Sequence, residues 1–495
     1  MKRVIVLLIL VIMLSNTLYA ADNPLKRGMK LYKKHRYEDA LKVLTTDPAT
    51  VKSNRQAKIL LSLGMICLEN AKLHRELYEV SLTVNLDYLT RLIAEKNQFE
   101  SHLAKLYLGK TLLKRGELSE SAAFFDKFIT ENNARPTDKQ IAQIGLGKVY
   151  YLKGKHDRAE HYWSKINTED PEIMSALAAV YSSVGVSGKE PAAMSKNALD
   201  QLKAAGRQPS IQVINDSVDV FTREGRVDES FQLLKRADLR AYFHEETLVK
   251  NKVIRFYDPA LLMNLSRHYA KAGLEYLQKA RAATDKKVQM LSGHYLSEGY
   301  EMFGSFEQAG QVVEEMMSSG KLPPSLDRRA RIRQAVVLYL RGDHHSAENQ
   351  LSTLLKSKAN PDLNAELLLA CVNHKIDYSP AVIAASTLAQ RGEGKQFAKL
   401  NFALGKYYLW KKDYMKAVKY MEAARDKSNK NRIEYNNPLM LTCLAEAYYH
   451  SRNFSEALEI FFEMSKQYPA VRQIQVAMQG VYSMEQQSAG DAKIF

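Results

Sequence analysis

The sequence predicts an all-α chain of helical hairpins that stack side by side as a solenoid. Two C-terminal stretches carry the same pattern of small and aromatic residues around a polar turn, and their packing positions, Gly405 and Ala445, lie 40 residues apart. Self-similarity at such a period is typical of stacked helical repeats. Proline is scarce, with 13 residues in the chain, and strand-like alternation is absent, so almost no sheet is expected.

Each hairpin obeys one steric rule. In the first stretch the small residue Gly405 precedes Tyr408 by three positions, a polar turn follows at Lys412-Asp413, and Ala417 lies early in the second helix. The small residues let the two helices cross closely, and the turn must tolerate a left-handed backbone. The same order recurs around turns near residues 116, 154, 185, 225, 273, 304, 342, 376 and 452, and in a first copy over residues 28–40.

These residues resemble tetratricopeptide repeats (TPR). The resemblance covers most of the chain after residue 24. It implies a right-handed superhelical α-solenoid, and the spacing from turn to turn scatters around the family's period of about 34 residues. The segment 56–97 has helical periodicity without the signature, and we interpret it as one irregular hairpin.

Polar segments divide the repeats. Candidate breaks are 187–191, 318–325 and 426–437. We therefore predict an N-terminal TPR-like block 24–186, a degenerate middle block 187–320, a C-terminal block 321–485 and a flexible tail 486–495. One continuous solenoid with loops at these positions is an equally consistent alternative.

The N-terminus predicts export. A positive head, Met1-Lys2-Arg3, precedes eleven apolar residues from Val4 to Leu14, and Leu18-Tyr19-Ala20 follows. This order is typical of a secretory signal peptide, here residues 1–20 with cleavage after Ala20. A retained membrane anchor is disfavoured because a helix needs about 20 apolar residues to cross a bilayer. The bacterial character of the signal indicates the periplasm.

The cysteines predict no disulfide framework. Cys67, Cys371 and Cys443 are an odd and widely spaced set, and each lies among apolar residues. We expect three buried thiols that pack as small hydrophobic groups.

The charge balance restricts the partner. The formal net charge is +16, or +14 without Lys2 and Arg3. In the cytosol such a charge would indicate nucleic acid, which the export signal argues against. Acidic polysaccharide, lipopolysaccharide, anionic lipid head groups and an acidic protein remain. The alternative is that the positive residues only solvate the helices.

Each apparent catalytic motif lacks a residue that its class requires. Gly109-Lys110-Thr111 resembles the end of a phosphate-binding loop, but Ala104 stands where that loop needs glycine. His156 and His161 do not form the His-Glu-x-x-His pattern of a zinc helix. We predict no catalytic residue, no metal site and no cofactor; an enzyme with an unrecognised site is the least favoured alternative.

The resemblance also implies where a partner binds. In this family, side chains one, four and five positions after the packing residue face a concave groove. The candidate binding residues are Lys110, Lys114, Lys148, Tyr151, Tyr339, Lys406, Trp410 and Tyr449. Adjacent cations and rings suit an acidic peptide or a sugar chain. The alternative is that the rings pack against the next repeat.

From these observations we expect a non-enzymatic periplasmic adaptor that holds protein partners of an envelope assembly. The alternative is an accessory role in the synthesis or export of a cell-surface polysaccharide, which the likeness to envelope TPR proteins implies.

Overall fold

The computed structural model of the chain describes residues 24–45, 54–94, 101–131, 134–237, 244–247, 253–320, 322–356, 361–391, 397–425 and 437–491. The predicted signal peptide 1–20 and nearly all of the polar segment 426–437 lie outside the described residues.

The described chain is almost entirely helical. Its helices are α1 Pro24–Tyr32, α2 Tyr37–Thr45, α3 Asn54–Ala94, α4 Leu103–Arg115, α5 Leu118–Thr130, α6 Pro136–Leu152, α7 His156–Trp163, α8 Pro171–Val184, α9 Pro191–Ala204, α10 Ile211–Arg223, α11 Val227–Arg236, α12 Ala260–Arg281, α13 Lys286–Met302, α14 Phe306–Ser318, α15 Pro324–Leu340, α16 His344–Lys356, α17 Pro361–Asn373, α18 Ser379–Arg391, α19 Ala398–Trp410, α20 Tyr414–Ala424, α21 Pro438–His450, α22 Phe454–Ser465 and α23 Val471–Asp491. An all-α chain of helical hairpins is therefore confirmed.

One short sheet interrupts the helices in the described part of the chain. Strands β1 His244–Thr247 and β2 Val253–Phe256 pair antiparallel, with His244 opposite Phe256. The pair is inserted between α11 and α12, where the step from one predicted turn to the next is longer than the family period.

Contacts group the described chain into two units. Unit 1 comprises residues up to Asn70 together with Ala272–Leu444, and unit 2 comprises Ala71–Lys271 together with the residues from Ala445 onward. Within each unit, helices that follow one another in sequence pack as antiparallel hairpins, such as α4 with α5 in unit 2 and α19 with α20 in unit 1. The three blocks predicted from the sequence stay a prediction. The last helix, α23, extends into the segment where a flexible tail was expected.

The packing positions leave no room for a side chain. A Cβ on Gly109 would lie 2.8 Å from the Phe125 ring, and one on Gly405 would lie 2.5 Å from Met421. Ser121, the small residue of the second helix, donates a hydrogen bond of 2.8 Å to the Gly109 carbonyl oxygen. The steric rule inferred from the sequence is confirmed, because each small residue faces a bulky residue of the paired helix.

The turns have the predicted left-handed backbone. Gly116, Gly154 and Gly304 have φ values of 81°, 72° and 71°. Lys412 and Arg452, which replace glycine in the last two hairpins, have φ values of 62° and 65°. A residue with a Cβ loses roughly 1–2 kcal/mol in this region, so the packing of the hairpin must compensate for that cost.

Two expectations about irregular segments are wrong. Residues 56–94 do not form a hairpin, because α3 runs as one helix of 41 residues. The predicted turn at Gly273 is also absent, since α12 continues through it. A Cβ on Gly273 would lie 3.2 Å from the carbonyl oxygen of Gly64. These two glycines let α3 and α12 cross closely, which gives Gly273 a packing role instead of a turn.

The cysteines are core residues, as predicted, and Trp163 is a core residue as well. Cys67, Cys371 and Cys443 are buried thiols. Burial raises the pKa of Cys371 to about 12, so this thiol stays protonated at neutral pH. Trp163 is also buried, and its Nε1 donates a hydrogen bond of 3.2 Å to the Ile144 carbonyl oxygen.

We expect Gly109→Ala to destabilise the chain by about 1–3 kcal/mol, because its Cβ overpacks the contact with Phe125. The measurement is urea unfolding followed by circular dichroism. Gly116→Ala serves as the control, since a Cβ there meets nothing within 4 Å and only the left-handed backbone is strained. Combining each change with Phe125→Leu should relieve the Gly109→Ala penalty alone. Equal penalties in both backgrounds would contradict the steric rule.

Candidate binding site

Seven helices contribute side chains to one cavity of about 400 Å³ in unit 2, with Tyr78 of α3 and Phe125 of α5 as single contributions. From α8 the lining side chains are Ala176, Ala179, Val180, Ser183 and Val184. Their spacing of three and four residues places them on one face of the helix. Stripes with the same spacing come from α4, α6, α10 and α12. We call this cavity the basic chamber.

The lining of the basic chamber contains more cationic than anionic side chains. Five cations line it: Lys110, Lys114, Lys148, Arg223 and Arg267. Three carboxylates line it with them: Asp216, Asp219 and Asp258. If all are ionised, the lining carries two more positive than negative charges.

Asp258 compensates the two lysines of α4. Its carboxylate lies 3.5 Å from the Lys114 ammonium and 3.9 Å from the Lys110 ammonium. Burial favours the neutral acid, but Lys114 and Lys110 outweigh it and hold the pKa of Asp258 below its ordinary value. The same side chain accepts a hydrogen bond of 2.9 Å from the Ala260 backbone N–H at the start of α12. Asp258 is therefore ionised and buried. Its position directly after β2 places its carboxylate next to α4.

Asp219 compensates two arginines at once. Its Oδ1 lies 2.9 Å from Nε of Arg223 and 3.3 Å from Nη1 of Arg267. Burial and the adjacent Arg223 guanidinium lower the pKa of Arg267. One carboxylate thus serves two guanidinium groups, and one positive charge remains uncompensated here.

Lys148 forms no ion pair in either cluster, although the Asp219 carboxylate attracts its ammonium and Lys114, Arg223 and Arg267 repel it. It is half-buried on α6 and, among the described residues, has neither a hydrogen-bond partner nor an ion-pair partner. Burial and the nearby Lys114 lower the pKa of Lys148 to about 7. The chain therefore holds this ammonium in the basic chamber without a compensating contact, an arrangement that favours an external anion.

Asp216 has an unsatisfied oxygen. Its Oδ1 accepts a hydrogen bond of 2.8 Å from Gln212 Nε2, whereas its Oδ2 is buried without a hydrogen-bond partner among the described residues. Burial raises the pKa of Asp216 to about 7. Buried polar atoms are nearly always paired, so this oxygen calls for an explanation.

The structure brings some of the predicted binding residues together. Those that line the basic chamber are Lys110, Lys114 and Lys148. Tyr151 packs instead against the His156 ring, with centroids 4.4 Å apart. Tyr449 is buried, and its hydroxyl donates a hydrogen bond of 2.6 Å to Asp87. Both tyrosines take the packing role that the sequence left open.

The other predicted residues belong to unit 1. Tyr339 packs on the His344 ring, with centroids 4.3 Å apart. Trp410 packs against the core of unit 1, and the Lys411 ammonium lies 4.3 Å from its ring centroid. Lys406 is half-buried. These three residues line neither of the two cavities described for unit 2.

The residues of α10 and α12 that line the basic chamber were not predicted from the sequence. Asp216, Asp219 and Arg223 follow Gln212 at positions that share one face of α10, a signal that helical spacing alone contains. No sequence pattern indicates that Asp258 lines the basic chamber, because the two lysines with which it pairs lie far away in the sequence.

A second cavity of about 490 Å³ adjoins the basic chamber. Lys110 and Asp258 line both cavities. The remaining charged residues of the second cavity are Arg135, Asp138 and Glu172, so its carboxylates outnumber its cations by one. Arg135 is bound to Asp138 by hydrogen bonds of 2.7 Å and 3.2 Å. We call this cavity the acidic chamber.

No metal-binding arrangement is present in the described part of the chain, where no group of three or more His, Cys, Asp or Glu side chains could hold an ion. None of the described helices is long and apolar enough to span a membrane.

Hairpins that repeat in the sequence also repeat the same side-chain contacts in the structure. Two tyrosine rings stack in each of two hairpins, with centroids 5.6 Å apart in one and 5.4 Å in the other: Tyr150–Tyr162 and Tyr408–Tyr420. A cation lies over the first ring of each pair, Arg158 in one and Lys416 in the other. Each of these three positions lies the same number of residues after the packing glycine in both hairpins. The described part of the chain is thus an all-helical array in which one hairpin geometry recurs.

Three solved structures have a distant likeness to this chain. Yeast Tom70 is 13% identical, with 94% of this chain and 96% of that chain covered and a TM-score of 0.31. The APC/C hetero-tetramer Cut9–Hcn1 gives 12% identity, 94% and 98% coverage and a TM-score of 0.27. Pentatricopeptide repeat protein PPR10 from maize gives 14% identity, 97% and 72% coverage and a TM-score of 0.25. No protein-family model and no curated protein matches the chain.

We expect Lys148→Met to raise the melting temperature most below pH 7. Below that pH the ammonium is charged in both the folded and the unfolded state, so its full desolvation cost weakens the fold. As pH rises from about 7 towards the ordinary lysine value of 10.5, the folded state alone loses the proton and the cost disappears. The gain in melting temperature should therefore shrink over this range. Lys155→Met, at an exposed position, is the control; a gain independent of pH would refute the assignment.

Proposed function

We propose that the chain is an exported, non-enzymatic adaptor that holds an acidic protein partner on the basic face of unit 2. The observation that carries this proposal is the Lys148 ammonium, which has no described partner in a cavity whose lining is already positive. An acidic group of a partner would supply the missing counter-charge.

The architecture supports a binding role. Stacked helical hairpins present side chains in parallel stripes over an extended surface, and TPR-like repeats are typical of protein-interaction scaffolds. A positive surplus in a cavity focuses the field and attracts acidic partners over several ångströms. Such complementarity determines specificity and association rate more than affinity.

Export is part of the proposal. Residues 1–20 have the order of a secretory signal peptide, and the chain after them keeps a net charge of +14. A basic periplasmic repeat protein fits a scaffold for an envelope assembly. We expect the mature protein to begin at Ala21 and to be released with the periplasmic fraction. Intact-mass measurement checks the cleavage, and recovery of the uncut chain in the cytosol would contradict it.

The alternative function is an accessory role in the synthesis or export of a cell-surface polysaccharide. The observation in its favour is the Trp410 ring with the Lys411 ammonium over it, because a ring and a cation side by side suit an anionic sugar chain. An anionic sugar would have to compete with Asp377, whose carboxylate lies 2.6 Å from this ammonium. This alternative shares the compartment with the first proposal but not the surface.

Charge reversal at Lys148 tests the protein-binding proposal. We expect Lys148→Glu to reduce partner capture at least about tenfold, since a close charge pair becomes a repulsion. Lys155→Glu is the matched control, because it makes the same charge change on an exposed residue outside the basic chamber. The measurement is crosslinking in the intact envelope, followed by mass spectrometry of co-purified proteins.

Lys110 and Lys114 are poor positions for this test. Reversing either would place a second carboxylate beside buried Asp258 and would disturb the fold. Equal capture by wild type, Lys148→Glu and Lys155→Glu would exclude the basic face. Salt-sensitive retention on acidic glycan, without a stoichiometric protein partner, would favour the polysaccharide alternative.

A further inference from the structure

The packing of the first hairpin of unit 1 turns one side of α1 away from α2. The two helices meet at Gly28, where a Cβ would lie 2.6 Å from a leucine side chain of α2. Lys26 and Lys30 lie two positions before and after this glycine. Each residue turns an α-helix by about 100°, so both lysines lie on the side opposite α2. Lys33 continues this side, because its backbone N–H donates a hydrogen bond of 3.0 Å to the Met29 carbonyl oxygen and extends the helical geometry.

Five exposed cations cover this side of α1. Lys30 lies at the centre, and each of the others lies three or four positions from it, so all are neighbours on one helix face. We call the set the lysine face: Lys26, Arg27, Lys30, Lys33 and Lys34. In the described part of the chain, its four lysines have neither a hydrogen-bond partner nor an ion-pair partner. Like charges at these spacings repel one another and destabilise a helix.

The carboxylates of the hairpin offset little of this charge. Glu38 and Asp39 are the only acidic residues between positions 24 and 45. Asp39 accepts a hydrogen bond of 2.7 Å from Nε of Arg36, a cation outside the lysine face. Burial raises the pKa of Glu38 to about 7, so this carboxyl carries only part of a negative charge at neutral pH.

A second basic run in the chain differs in exactly this respect. Residues 328–333 contain four arginines. Three of them bind carboxylates of the chain at 2.7 Å to 2.9 Å: Arg329, Arg331 and Arg333. A cluster of cations in the sequence is therefore not enough to leave a free positive surface. The lysine face is free because the fold brings no carboxylate to its four lysines.

The composition of the lysine face favours a layer of anionic head groups over a protein partner. Protein interfaces are depleted in Lys and take their affinity from aromatic, Met and Arg anchors that fill pockets. Four of the five residues here are lysines, and no large apolar side chain of residues 24–44 is exposed. A lysine ammonium is a point charge that requires no fixed geometry of its acceptor. Four to eight such cations on an amphipathic helix are typical of contact with anionic lipid.

We propose that the lysine face holds the chain on the surface of a bilayer that contains anionic phospholipid. Each cation strengthens binding about fivefold, the factor that corresponds to about 1 kcal/mol. Because the face exposes no apolar side chain to insert, the contact stays among the head groups and is reversed by salt. This inference goes beyond the proposed adaptor function. It concerns unit 1 and does not involve the basic chamber.

Flotation of the purified full chain with lipid vesicles tests the proposal. Vesicles of phosphatidylcholine are compared with vesicles that also contain about 30 mol% phosphatidylglycerol. We expect the anionic vesicles to bind at least tenfold more tightly in 0.1 M NaCl. The difference between the two vesicle types measures the electrostatic contribution, whatever residues 1–20 add. It should fall at least tenfold in 1 M NaCl, because the Debye length shortens from about 10 Å to about 3 Å. Phosphatidylserine at the same fraction should replace phosphatidylglycerol within about twofold.

Two matched double variants separate the lysine face from the total charge. Lys30→Gln/Lys33→Gln should weaken binding to the anionic vesicles about 25-fold, which is about fivefold for each cation removed. Lys155→Gln/Lys203→Gln removes the same charge from exposed positions of unit 2 and should change binding less than twofold. Glutamine has nearly the helix propensity of lysine. Circular dichroism and melting temperatures confirm that both variants are folded.

Four results would overturn the inference. These are equal vesicle binding by the two double variants, binding to anionic vesicles that persists in 1 M NaCl, a tenfold preference for one anionic head group at equal charge, or one stoichiometric acidic protein whose capture, unlike vesicle binding, is lost in Lys30→Gln/Lys33→Gln. The adaptor proposal is judged separately, by partner capture in Lys148→Glu. Its failure would leave the vesicle measurements unaffected.

Discussion

The close approach of two helices at a small residue is the constraint on which the rest depends. Gly109 and Gly405 leave no space for a Cβ against Phe125 and Met421. Because the hairpin can close in only one register, the side chains at equivalent positions after each small residue point in the same direction in every hairpin. Lys110, Leu113 and Lys114 therefore reach the same cavity wall, and the site is a consequence of the packing rule.

Lys148 differs in charge compensation from the cations that are paired within the chain. In unit 1, Arg329 and Lys399 share Glu366, with distances of 2.7 Å and 2.8 Å, so these charges are bonded within the chain. In unit 2, the charged form of Lys148 destabilises the folded state, because burial removes water from its ammonium. The proposed function therefore rests on this residue and not on the total charge of +16.

The strand pair shows how an irregularity gives a repeat protein a specific site. It lies in an extended step between α11 and α12, and the residues after β2 bring Phe256 and Asp258 against α4. A regular array would leave the first helices facing an open groove. Here Asp258, which follows the strand pair, lines both the basic and the acidic chamber together with Lys110.

The sequence by itself determined the hairpins, the left-handed turns at Lys412 and Arg452, and the burial of the cysteines, because each follows from spacing within a few helical turns. The binding role of Lys110 and Lys148 stays a prediction, although both residues line one cavity. Only the tertiary structure decided that α3 is one long helix, that Gly273 is a crossing point and that Asp258 neutralises Lys114. These outcomes depend on contacts between residues far apart in sequence, which local periodicity does not record.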